Sequence, residues 1–196
     1  MEKRMSSSKT LGLASLVLGF MAIVATAQDV PGMKKTGKMI DNPAYQQWSQ
    51  FKAGTFVTTK LTSTFGEMKT TMETTTTLKE ITEQKLVIAM KTAMMVGDQK
   101  FEQPVPDQTV DAKVEEMVPT EEAKKDDIKV ETSEEEVELL GKKLKCTLTK
   151  TTLMMNEQKT VTKVWTCKEV PGSVVKMETT SEGSSTSMIV TAYEIK

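Results

Sequence analysis

The chain has 196 residues with 26 Lys and Arg against 27 Asp and Glu, a formal net charge of -1, and 38% hydrophobic residues. That balance excludes a disordered polyelectrolyte and a basic nucleic-acid binder, and the length fits one domain of ordinary size. There is no His, which removes imidazole bases, Ser-His-Asp and Cys-His nucleophile systems, and His-containing zinc sites.

Residues 1–27 have the three parts of a secretory signal: Lys3, Arg4 and Lys9, an apolar run from Leu11 to Val24, and Ala25-Thr26-Ala27 as a small-x-small site. Gly12, Ser15 and Gly19 interrupt the run, which is short for a membrane span of about 20 residues. Cleavage after Ala27 is expected, giving a secreted or periplasmic product with no stable transmembrane anchor. Residues 28–41 read as a flexible lead-in, and residues 42–196 as a single β-rich domain.

Asn42 as N-cap, Pro43 as first helical residue, Tyr45, Trp48 and Phe51 at spacings of three, and Gly54 as terminator predict one short helix. Its aromatic residues would plug an apolar sheet face. After Gly54 the period becomes two. A Gly66-Glu67 turn sets Phe65 opposite Met68, Leu61 opposite Met72 and Val57 opposite Thr76. A further strand over 86–96 places Leu86, Ile88, Met90 and Met94 on one side.

Residues 98–136, with three prolines and many carboxylates, read as an acidic Pro-containing insert holding one or two short strands. Its acidic clusters lack the ligand spacing and central Gly of an EF-hand loop. Beyond it, a Gly141-Lys142 turn predicts Leu139 opposite Leu144. An Asn156-Glu157 turn predicts Leu148 opposite Trp165 and Cys146 opposite Cys167 at a non-hydrogen-bonded position. Register and an oxidising compartment together predict a Cys146–Cys167 disulfide. An extra residue after Pro171-Gly172 would bring Val175 opposite Cys167 and Met177 opposite Trp165, and a last turn at 182–185 would pair Met177 with Val190. The expected fold is mainly β: a single curved antiparallel meander sheet of about eight or nine strands, with one N-terminal helix packed on it.

This architecture resembles the LolA/LolB-like periplasmic lipoprotein carriers, and the segment from Thr162 through Trp165, Cys167, Pro171-Gly172 and Met177 to Glu178 is similar to a strand, turn and strand near the end of such proteins. The resemblance implies an unclosed barrel in the envelope.

The functional expectation is a non-enzymatic exported protein that binds an acyl chain or other lipid. Its candidate contacts are Leu61, Phe65, Met68, Met72, Met90, Met94, Leu148, Trp165 and Met177, although for each residue taken singly ordinary core packing is the favoured reading, since most apolar stripes are core. The alternative is an envelope structural or protein-interaction module without a small ligand. No catalytic arrangement is legible, and no cofactor, metal or nucleic acid is expected. Cu(I) would suit thioethers, but Met residues four apart on a strand are about 13 Å from each other and need cross-strand partners to share an ion.

Overall fold

The computed structural model describes residues 33–96, 99–119, 127–155 and 158–196. The signal segment with its expected cleavage site, the rest of residues 1–32, and residues 97–98, 120–126 and 156–157 lie outside the described residues. Among the described residues, eleven strands form two antiparallel sheets, more than the sequence predicts. The first half supplies β2 (Phe56–Phe65), β3 (Met68–Ile81), β4 (Lys85–Val96) and β5 (Gln99–Asp111). The second half supplies β7 (Asp127–Leu139), β8 (Lys142–Met155), β9 (Gln158–Thr166), β10 (Val174–Ser181) and β11 (Ser184–Glu194). These nine lie in the order β5-β4-β3-β2-β11-β10-β9-β8-β7. Two meanders therefore meet at the β2–β11 pair, and the sheet is unclosed.

The remaining strands, β1 (Met33–Asp41) and β6 (Lys113–Pro119), pair with each other in a separate ribbon. β1 lies in the residues expected as a lead-in, and β5, β6 and the start of β7 lie in residues 98–136, where one or two short strands were expected. Pro104 and Pro106 fit inside β5 because it is an edge strand, where a missing N–H can face away from the ladder.

The predicted helix is only one turn, α1 (Pro43–Gln46). Asn42 caps it through Oδ1, which accepts from the Ala44 N–H at 3.0 Å. Beyond Gln47 the chain tightens: the Trp48 N–H donates to the Tyr45 carbonyl and the Phe51 N–H to the Trp48 carbonyl, both at 3.0 Å. Aromatic residues spaced by three suit this narrower winding, in which side chains three apart eclipse. Trp48 and Phe51 are buried all the same, so the segment plugs the sheet as a series of turns.

The β2–β3 hairpin has the predicted register, Phe65 opposite Met68 and Leu61 opposite Met72, and Gly66 takes φ 57°. Two later turns differ. Leu140-Gly141 and Glu182-Gly183 place Gly second, not first, so Leu139 faces Lys142 and Met177 faces Met188. A shift of two residues preserves the side-chain faces.

The β9–β10 pair does not preserve them. The extra residue sits at Val175, so Lys176 is opposite Trp165 and Met177 is opposite Val164. The apolar pattern thus changes face at this bulge. On β2 to β5 the core residues Val57, Leu78, Leu86, Ile88 and Val110 share the face covered by α1 and Trp48, the inner face. On β8 and β9 the core residues Cys146, Leu148 and Trp165 point to the other, outer face. Val175 and Val170 are both fully buried and belong to the same core cluster as the residues of both faces.

Candidate functional site

On the inner face, direct cross-strand neighbours form one continuous row. Phe101 on β5 is opposite Met94 on β4, then follow Met72 on β3, Leu61 on β2, Met188 on β11, Met177 on β10 and Val164 on β9. The row ends in Thr149 on β8 and Thr132 on β7. Direct opposition keeps side chains on one face, so this apolar line spans seven adjacent strands. Val164, Met177 and Met188 are buried, Leu61 and Met72 half-buried, and Met94 and Phe101 are exposed at 38% and 48%.

Polar rows flank it. Ser63 and Thr186 hydroxyls meet at 3.2 Å, as do Thr162 with Thr179 on one side and Thr74 with Thr92 on the other. These hydroxyls satisfy each other in cross-strand pairs and leave the part of the apolar row from Leu61 to Phe101 open to contact.

Towards α1 the inner face deepens into a half-open cleft of about 160 Å³. Ala44, Trp48 and Pro171 form one wall, and Val57, Ile88, Met90 and Val110 the other. The Pro171-Gly172 turn approaches Trp48 closely: a Cβ on Gly172, which has φ 75°, would lie 3.5 Å from the indole ring. An apolar cavity of about 150 Å³ accommodates benzene, so the cleft has room for one end of an apolar chain. Most of such a chain would have to lie on the row.

Of the nine predicted contacts, Leu61, Met72, Met94 and Met177 stand together in the row, and Met90 lines the cleft. Phe65 and Met68 are opposite each other on the same face but at the turn end, exposed at 61% and 69%. Leu148 and Trp165 are not part of this site. Trp165 faces outward, where its Nε1 donates to Glu135 Oε2 at 2.8 Å and Lys176 Nζ lies 4.6 Å from the ring centroid. Sequence reasoning missed Phe101, Val110, Val164 and Met188. Phe101 and Val105 share a face only with polar Gln103 between them, so the insert carries no clean period-two signal.

Beside the buried Leu148 and Trp165, the outer face carries charged side chains on β7 and β8. Glu131 Oε2 accepts from Lys150 Nζ and its Oε1 faces Lys129 Nζ, both at 2.9 Å. The hydrogen bond from Lys150, then that from Lys129, and the charges of both hold the Glu131 carboxyl down at about 2.

The expected disulfide is not formed: Cys146 and Cys167 are both free thiols and both buried. The β8–β9 ladder stops at Thr147 opposite Thr166. Cys167 already belongs to the following loop, where its N–H donates to the Ser173 carbonyl at 2.7 Å. The two thiols are neighbours all the same, the Cys146 side chain being hydrogen-bonded to that of Cys167. Burial, with the neighbouring Cys167, pushes the Cys146 thiol up to about 11.

Among the described residues, no three of Cys, Asp and Glu converge as metal ligands. The Met72–Met94 and Met177–Met188 pairs are separated by Leu61 in the row, which leaves two thioethers at each. No described helix is long and apolar enough to cross a membrane.

No family model matches the chain, and no curated protein does. Among solved structures it overlaps a Bacteroides fragilis protein described as exported with a YmcC-like fold, at 8% identity and a TM-score of 0.44, over 74% of this chain and 97% of that one. A Vibrio parahaemolyticus domain described as an outer membrane lipoprotein-sorting protein overlaps at 8% identity and a TM-score of 0.25, over 72% of this chain and 85% of that one. PNGF-II overlaps at 10% identity and a TM-score of 0.29, over 72% of this chain and 28% of that one. All three overlaps are weak and carry no functional argument.

Proposed function

We propose that the protein is exported and binds a hydrophobic ligand, an acyl chain, on the inner face of its nine-stranded sheet. One observation carries this reading: the Phe101-to-Val164 row is apolar at seven successive strands, buried at one end and exposed at the other. Six inter-strand steps at about 4.8 Å give a line about 29 Å long. Each methylene buried on it contributes about 0.8 kcal/mol, so ten contribute about 8 kcal/mol before the cost of immobilising the chain. Met side chains repack around ligands of different shape, and the row holds four of them: Met72, Met94, Met177 and Met188. The cleft beside Trp48 would take the chain's terminus. The signal-like residues 1–27 support the exported location.

Native mass spectrometry of protein purified from its own envelope tests the reading. The expected result is a population carrying a lipid mass that collisional activation releases. Protein recovered without lipid, and unable to take up fatty acid or phospholipid when supplied, would transfer the reading to an envelope interaction module.

A further inference from the structure

The sheet ends in β5 on one side and β7 on the other, and the two edges differ. β5 carries Pro104 and Pro106, which lack the N–H groups an added strand would use. β7 runs 13 residues without a proline and, among the described residues, pairs only with β8. Counting from the two-residue turn, Leu139, Val137, Glu135 and Ser133 exchange hydrogen bonds with β8. The backbone groups of Thr132, Glu134 and Glu136 therefore point away from the sheet. Among the described residues, Glu134, Glu136 and Glu138 are exposed and make no ion pair.

The β1–β6 ribbon is also incomplete, because two strands alone are marginal in water and gain stability from a third. Its β1 strand has β6 on one side only and carries the charge opposite to that of β7. Lys34 and Lys35 are exposed with no carboxylate partner among the described residues, and Lys38 holds Glu116 only at 3.7 Å.

We propose that β1 of one chain adds as an edge strand to β7 of a second copy, its lysines beside Glu134 and Glu136. The addition supplies the ribbon with a third strand and covers the free edge of the large sheet. Pairing β7 with its own copy about Ser133 would instead set Glu131 against Glu135. Each chain then offers one β1 and one β7, so the contact is head-to-tail and builds rings or filaments rather than closed two-fold dimers.

Complementary variants test this. Glu134→Pro removes an outward N–H without touching the β8 ladder, and Glu134→Lys/Glu136→Lys blocks the same edge by charge alone. Lys34→Glu/Lys35→Glu blocks β1. In sedimentation at rising concentration the unaltered protein should pass beyond the dimer, and added salt should weaken the association. Each blocked variant, with unchanged circular dichroism, should associate at least tenfold more weakly with itself. A β7-blocked variant mixed with the β1-blocked variant should form a 1:1 pair and stop there. Unaltered protein that stays monomeric, or blocked variants that never pair on mixing, would overturn the proposal, including the case where the ribbon docks on its own β7.

Discussion

Met177 stands opposite Val164, one position away from Trp165, because β10 carries its extra residue at Val175. That offset divides the apolar residues of the C-terminal strands between two faces. Met177 joins Met188 and Leu61 on the inner row, while Trp165 sits outside beneath Lys176. The site is therefore built mainly from β2 to β5 with β9 to β11, and its aromatic neighbour is Trp48.

The buried end of the row should be far more sensitive than Phe65 at the exposed turn end of the same face. Met177 is 4% exposed and Phe65 61%. Met177→Ala is expected to cost about 2–3 kcal/mol, through lost contacts and a residual cavity. Phe65→Ala should cost about 0.5 kcal/mol or less. Urea denaturation of the two variants beside the parent gives both numbers, and equal costs would contradict the burial described for the row.

Leu140 offers a stabilising change. It has φ 51°, is 53% exposed, and precedes Gly141 at φ 76°, so both central turn residues are left-handed. Leu pays for that conformation with steric strain, and Asn-Gly is the pair such a turn prefers. Leu140→Asn should raise stability by about 1 kcal/mol, seen as a higher thermal midpoint. A lower midpoint would mean that the Leu140 side chain contributes packing that outweighs the strain.

The hairpin around Gly66 was legible from sequence because alternation and turn chemistry agree over many residues. The turns at Gly141 and Gly183 were legible only to within two residues, since either position of a Gly suits some two-residue turn. The bulge at Val175 was foreseeable in kind but not in place: moving it by one pair changes which face Trp165 takes without altering any local propensity. β5 was hidden by Pro104 and Pro106, whose effect depends on the strand lying at an edge, a tertiary fact. The long-range pairing of β1 with β6 had no local signature. In the site, the β2–β4 contacts were readable by alternation, whereas Met188 and Phe101 required the order of strands.

The two thiols should be protected while the protein is folded. With its thiol raised from 9.0 to about 11, Cys146 has roughly a hundredfold less thiolate near pH 8 than an ordinary Cys, and burial slows reagent access further. The folded state favours the protonated form, so this contribution to stability is intact below about pH 9 and declines as pH rises through about 11. Alkylation timed at pH 8 with and without denaturant should show slow and fast modification respectively. Rapid labelling of the folded protein would contradict the burial of both sulfurs.

The central claim is that an apolar ligand occupies the inner face, and the two tryptophans report on opposite faces. Titration of a fatty acid into Trp48→Phe and Trp165→Phe, followed by tryptophan fluorescence, tests it most directly. A saturable change should persist in Trp165→Phe, where the remaining indole lines the cleft, and should largely vanish in Trp48→Phe. No saturable change in either variant, or one seen only through Trp165, would contradict the account.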